Sequence, residues 1–319
     1  MKKNFKKSKF VILPALATLV LTGVASVTGT VAWFTANRAV TVKGMQLKAK
    51  AGSNLLIAGD DLTKTAKLAD SSFSSSLTQT INVAELAPAS TVDGKNFFYT
   101  ESAKADGSIE TGGKYLKAEN ASEENGKKYY VDYVFQLKAI NTETGNQSLY
   151  IDKIEISYAN ATSSDDKTQL ESAAKAFRCA FFIESAGETS GSEFTSNTTT
   201  VTKGLQFIYT PSGAANQQTT KAVKQASTGA SADSTADLGD VTYLSQKTAY
   251  ATVATGTHYY KGVARLWLEG EDKSCTNDLF KTASNDWSFD LGFRLGDLDS
   301  ESYKAKTNID INVTATPQA

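Results

Sequence analysis

Tyr129-Tyr130-Val131-Asp132-Tyr133-Val134-Phe135-Gln136-Leu137-Lys138-Ala139 decides the fold. Tyr129, Val131, Tyr133, Phe135 and Leu137 fall on one side of an extended chain, and Tyr130, Asp132, Val134, Gln136 and Lys138 on the other. A period of two is the signature of a strand, and aromatic and β-branched side chains suit its pleated surface. Turn chemistry follows at residues 141–146, with Gly145 inside it, and residues 149–158 return as a second alternating run through Ile151, Ile154, Ile156 and Tyr158. The two runs predict a hairpin or the start of a Greek-key crossing.

The same reading extends outward. Residues 40–49, 54–58, 96–100, 176–184, 205–209, 259–269, 287–295 and 308–316 all read as strands. One helix is expected from a Ser164 cap through Asp165 and Asp166 to Lys175, with the acids in the first turn where the helix dipole favours them. Residues 60–80 and 101–126 read as loops, and 211–237 as a low-complexity insertion of Ala, Ser, Thr, Gln and Gly. The expected class is all-β. The architecture would be an antiparallel, jelly-roll-like β-sandwich with long loops and one or two short helices, in a single domain over residues 50–319.

The N-terminus has a different character. Lys2, Lys3, Lys6, Lys7 and Lys9 precede an apolar run from Phe10, and a small-residue tract ends in Thr30-Val31-Ala32 before Trp33-Phe34. Basic residues, then an apolar stretch, then small side chains before a cut describe a signal peptide over residues 1–32, with cleavage between Ala32 and Trp33. The competing reading is an uncleaved anchor, since residues 10–34 could span a bilayer. Pro14 and the polar dilution by Thr22, Gly23, Ser26, Thr28, Gly29 and Thr30 count against it. Without the leader, 28 basic residues face 34 acidic ones, a net charge of −6, which argues against nucleic acid as a partner.

Little in the chain suggests catalysis or a cofactor. His258 is the only histidine, and neither a Gly-x-Ser-x-Gly elbow nor a His-Glu-x-x-His motif is present. Glu269, Glu271 and Asp272, with Asp278, are calcium candidates by chemistry. So are Asp297, Asp299 and Glu301, but neither cluster has the glycine of an EF-hand loop, and a solvated turn is the favoured reading. Trp267 and Trp287 could offer sugar platforms, although alternating strands make core packing their default. Cys179 and Cys275 could pair in an exported protein, closing a loop worth about 4 kcal/mol in the chain-entropy model, or lie apart as buried thiols.

Gly29, Thr30, Ala32 and Phe34 resemble the leader end of the TasA/camelysin family, exported proteins of Gram-positive bacteria cut by a dedicated ER-type signal peptidase. Residues 54–57, 86–94 and 267–275 are similar to segments of divergent relatives of that family in gut Firmicutes. The resemblance implies a jelly-roll subunit of extracellular matrix or cell-surface fibres. It further implies a homopolymer built by donor-strand β-augmentation, with other matrix proteins as further partners. On that reading residues 33–49 are the donor strand, and Trp33, Phe34, Val40, Val42, Met45 and Leu47 are its apolar knobs. The protease label of camelysin-type members does not transfer, because no zinc-ligand set is present. A membrane-anchored adhesin or glycan binder is the alternative, and a secreted hydrolase comes last. N-terminal sequencing of protein recovered from culture medium should read Trp-Phe-Thr-Ala-Asn from Trp33, whereas full-length chain confined to the membrane fraction would exclude cleavage.

Overall fold

The computed structural model describes residues 40–51, 54–62, 65–91, 94–100, 115–118, 128–161, 163–185, 194, 205–209, 211, 224–225, 231–233, 249–270, 272, 274–275, 287–296 and 309–315. In chain order the strands are β1 (Val40–Ala51), β2 (Leu55–Gly59), β3 (Ser76–Leu86), β4 (Phe98–Thr100), β5 (Tyr115–Lys117), β6 (Val131–Asn141), β7 (Gln147–Ala161) and β8 (Phe177–Ser185). They continue as β9 (Leu205–Tyr209), β10 (Lys224–Gln225), β11 (Ser231–Asp233), β12 (Ala251–Val253), β13 (Gly256–Leu268), β14 (Trp287–Gly296) and β15 (Asp310–Ala315). Helix α1 (Ser164–Ala174) joins β7 to β8, capped by Ser163, whose Oγ accepts from the Asp166 amide at 3.0 Å.

The fold is all-β and sandwich-like. One sheet runs β12-β7-β14-β1-β3, with β15 also beside β7, and the other runs β2-β6-β13-β8-β9. Their inner faces share one core: Met45, Leu47, Leu149, Ile151, Phe289 and Phe293 from the first sheet, and Tyr133, Phe135, Leu137, Phe181 and Leu266 from the second. Phe135 and Phe293 meet across it at 5.2 Å between ring centroids, and the Tyr133 hydroxyl donates to the Met45 carbonyl at 3.1 Å. Of the two connections expected for β6 and β7, a hairpin or a crossing, the structure has the crossing between the sheets. Asn141 fixes that corner: its Nδ2 donates to the Gly145 and Val253 carbonyls, and its Oδ1 accepts from the Glu143 amide.

Two pairings depart from the antiparallel expectation. β1 lies parallel to β14, and β15 parallel to β7. Parallel neighbours need a long crossover, and almost the whole chain intervenes between β1 and β14, a separation that strand-by-strand reading does not register.

A third layer covers the outer face of the second sheet. Residues 60–62 and 65–68 cover Gln136 and Lys261, and residues 94–100 cover Trp267 and Arg265, with Phe97 edge-on against Trp267 at 5.6 Å; β4 leads into a small sheet ordered β10-β11-β5-β4. Gly94 has φ +66, and a Cβ there would stand 2.9 Å from the Ala180 Cβ, so both conformation and space call for glycine. The outward residues of β6, β8 and β13 are therefore buried too, including Gln136, Arg178, Lys261 and Arg265. Each buried cation has an acid. Arg265 is paired with Asp132 through Nε and Nη2, Arg178 with Asp272, and Lys261 with Asp60. Arg265 Nη1 also donates to the Gly94 carbonyl at 2.8 Å, and its guanidinium stacks 3.8 Å above the Tyr130 ring. At the other end of the sheet, hydrogen bonds from Tyr259 and Lys138 hold the exposed Asp70 carboxyl below its ordinary pKa and fasten the turn at residues 70–72.

Gly262 faces the main core, where a Cβ would lie 2.4 and 2.6 Å from the Phe135 ring. That ring is backed by Phe293 and has nowhere to retreat. Gly262→Val should lower the unfolding free energy by about 1–3 kcal/mol, measured as a shifted urea midpoint at unchanged slope.

Candidate functional site

The residues singled out for assembly divide at the start of β1. The leader, the Ala32–Trp33 bond and Phe34 lie outside the described residues. Val40 and Val42 lie in β1, in register with Leu86 and Val83 of β3. Met45 and Leu47 are buried in the chain's own core, so the structure corrects their role as knobs for a neighbouring subunit. The same alternation that suits a donor strand suits a strand completing its own sandwich. Only the register distinguishes the two, and here β1 sits inside the sheet between β14 and β3.

Pairing along β1 is uneven. β3 contacts it from Val40 onward, with two register shifts before Met45, while pairing with β14 begins only at Gln46. β3 ends the sheet; among the described residues its ladder partner is β1, and Leu86 at its end also bridges Lys128 on the outer flank. Its sequence, Ser-Leu-Thr-Gln-Thr-Ile-Asn-Val-Ala-Glu-Leu, contains neither lysine nor proline, and Ser76, Thr78 and Thr80 are exposed. Natural edge strands are usually short or blunted by such residues. The regular half of this edge, Ser76–Thr80, offers a template for another strand, while the far half is bulged, carries Glu85 and ends bridged to Lys128. Sequence reading assigns its first half to a loop, because an edge strand wet on one side carries a weak apolar period.

The two cysteines are free and buried, so the structure favours separate thiols over the disulfide. Cys179 lies within β8, its Sγ directed to the Ala180 carbonyl at 3.9 Å. Cys275 follows the turn after β13, its amide donating to the Asp272 carbonyl at 2.8 Å. Burial pushes both thiols well above their ordinary pKa, reinforced by the charge of Asp132 at Cys179 and of Asp272 and Glu269 at Cys275.

The acidic turn is not the solvated turn expected of it, because Asp272 and Glu269 are buried and engaged by the protein itself. Asp272 is fully buried, with Oδ2 2.7 Å from Arg178 Nη2 and Oδ1 accepting from the Ser274 amide at 2.8 Å. Glu269 is buried and accepts from the Trp267 indole at 3.2 Å. Glu271, Asp278, Asp297, Asp299 and Glu301 lie outside the described residues. Among the described residues no three of His, Cys, Asp and Glu come together as a metal ion would need. Trp267 and Trp287 are both buried, the latter between Tyr158 and Phe177, which leaves no face for a sugar. His258 is buried inside β13 opposite Ala139 of β6. Among the described residues no helix is long and apolar enough to cross a membrane.

The outer face of the first sheet carries a hollow of about 470 Å³ lined by Lys48, Asp152, Lys153, Asp290 and Arg294. Most of its charges pair internally: Lys153 with Glu155 and Asp290, and Arg294 with Asp152. Comparison with protein-family models, curated proteins and solved structures finds no match to this chain.

With both thiols buried and protonated, native protein should not react with a thiol reagent at pH 8. After denaturation without reductant, two equivalents should react; none would restore the disulfide.

Proposed function

We propose that the chain is an exported structural subunit of extracellular or cell-surface fibres, a divergent relative of the TasA/camelysin proteins, and that it assembles with copies of itself by strand addition. The observation that carries this reading is the polar edge of β3 over Ser76–Thr80, which pairs regularly with β1 and carries neither lysine nor proline, in the same sheet as β1. Cleavage after Ala32 leaves seven residues ahead of Val40, with an extended reach of roughly 23 Å at ~3.3 Å per residue. Because Met45 and Leu47 belong to the subunit's own core, the donor contracts from residues 33–49 to residues 33–39, with Trp33 and Phe34 as its anchoring side chains. Main-chain hydrogen bonds to the neighbour's edge supply the affinity, and the two aromatics set the register. The peptidase that frees Trp33 is then the switch from monomer to polymer.

A membrane-anchored adhesin is the second reading, and the charged hollow on the outer face of the first sheet favours it. Its ligand would be a small polar molecule met outside the cell.

Mature protein should form filaments under negative stain. Deletion of residues 33–39 should leave a monodisperse monomer with unchanged near-ultraviolet dichroism, while deletion of residues 40–49 should unfold the chain. Filaments that survive the shorter deletion would exclude the donor role.

A further inference from the structure

The side chains of Lys261 and Asp60 are both completely closed to solvent, with Nζ 3.1 Å from Oδ2. They differ from the other two buried pairs of this sheet face. Those use arginine, whose delocalised guanidinium stays charged and is a poor nucleophile, whereas a lysine amine becomes nucleophilic on losing a proton. The surroundings are also distinct. Gln136 Nε2 donates to Asp60 Oδ2 at 2.9 Å, and Lys261 Nζ donates to the Asp61 carbonyl at 2.6 Å. Asp60 Oδ1 is buried without a hydrogen-bond partner. Glu184 stands directly across from Lys261 in the β13–β8 register, with Oε2 shut off from solvent.

An ion pair is poorly served here, because one carboxylate oxygen is buried with nothing to bind. An amide is well served. Its oxygen would keep the Gln136 donor, its single N–H would keep the Asp61 carbonyl, and the orphaned Oδ1 would be gone. We propose that Lys261 and Asp60 condense into an intramolecular isopeptide bond that ties the end of β2 to β13.

The ammonium gives one proton to the carboxylate, and the Nζ lone pair then forms the bond to Asp60 Cγ. Oδ2 takes the displaced electron pair and is held by Gln136 Nε2. Collapse restores the carbonyl at Oδ2 and expels Oδ1 as water, carrying both protons lost from nitrogen, the second relayed by Glu184. Ammonium and carboxylate become amide and water, so no oxidant, reductant or activating group is consumed. Well-oriented intramolecular partners reach effective molarities of roughly 10⁵–10⁸ M, and exclusion of bulk water protects the product from reversal.

Full-length or mature protein, digested with trypsin after denaturation and reduction, tests the bond wherever the leader is cut. The expected product is a branched peptide joining residues 51–64 to residues 248–265, uncleaved after Lys261 and lighter than the two sequences together by one water. Glu184→Gln should retain the native circular dichroism and give the separate linear peptides, as Lys261→Met does. Linear peptides cleaved after Lys261 in the unsubstituted protein would overturn the proposal, and a branched peptide in Glu184→Gln would overturn the relay.

Discussion

A buried charge must carry its partner with it, and that constraint organises the second sheet. Lys261, Arg265 and Arg178 lie on one face of adjoining strands, each closed off from water beside a carboxylate. Leaving one member of such a pair alone in the interior costs several kcal/mol, on the order of 3–5 for a broken buried pair. Each acid or acceptor comes from a different part of the chain: Asp60 just after β2, Asp132 and the Gly94 carbonyl at the middle, and Asp272 in the turn after β13. The cations thus specify which segments close over the sheet and where. The aromatic contacts of Phe97, Trp267 and Tyr130 fill the space those pairs define.

The first sheet follows another logic. Its outer face is polar and open to solvent, its inner face contributes to the main core, and β1 lies inside it, next to the edge strand β3. A strand with neighbours on both sides cannot be lent to another subunit without dismantling the core that Met45, Leu47 and Ala49 help to form. On the proposed assembly reading, intramolecular and intermolecular roles separate along the chain near Val40.

The strands most legible in the sequence are those with one apolar side. β6, β9, β13 and β14 stand within a few residues of where alternation puts them, and the helix cap moves by one residue, from Ser164 to Ser163. β3 and β5 are missed, as are the short β10 and β11 inside the segment read as a low-complexity insertion. Thr78, Gln79 and Thr80 look like loop because an edge strand satisfies its amides with a partner and needs little apolar surface. β12 is only three residues long, and its pairing with β7 leaves no periodic trace. The third layer is the larger omission. Gln136, Lys261 and Arg265 alternate with apolar residues as solvent-facing side chains would, and no local pattern reveals that distant loops cover them. For the assembly segment the apolar period is correctly seen, but it does not say whose sheet is being completed.

On the proposed reading of an exported subunit, the parallel seam between β1 and β14 also bears on the order of events during export. A chain that crosses the membrane N-terminus first delivers β1 almost at once and β14 near the end. Until then β1 has β3 on one flank and no ladder on the other. Closure of the sandwich waits for the C-terminal strands, and pairing between such distant segments is slow to form. On that reading a translocating polypeptide stays loose enough to keep moving, and the fold locks only after its last strands are outside.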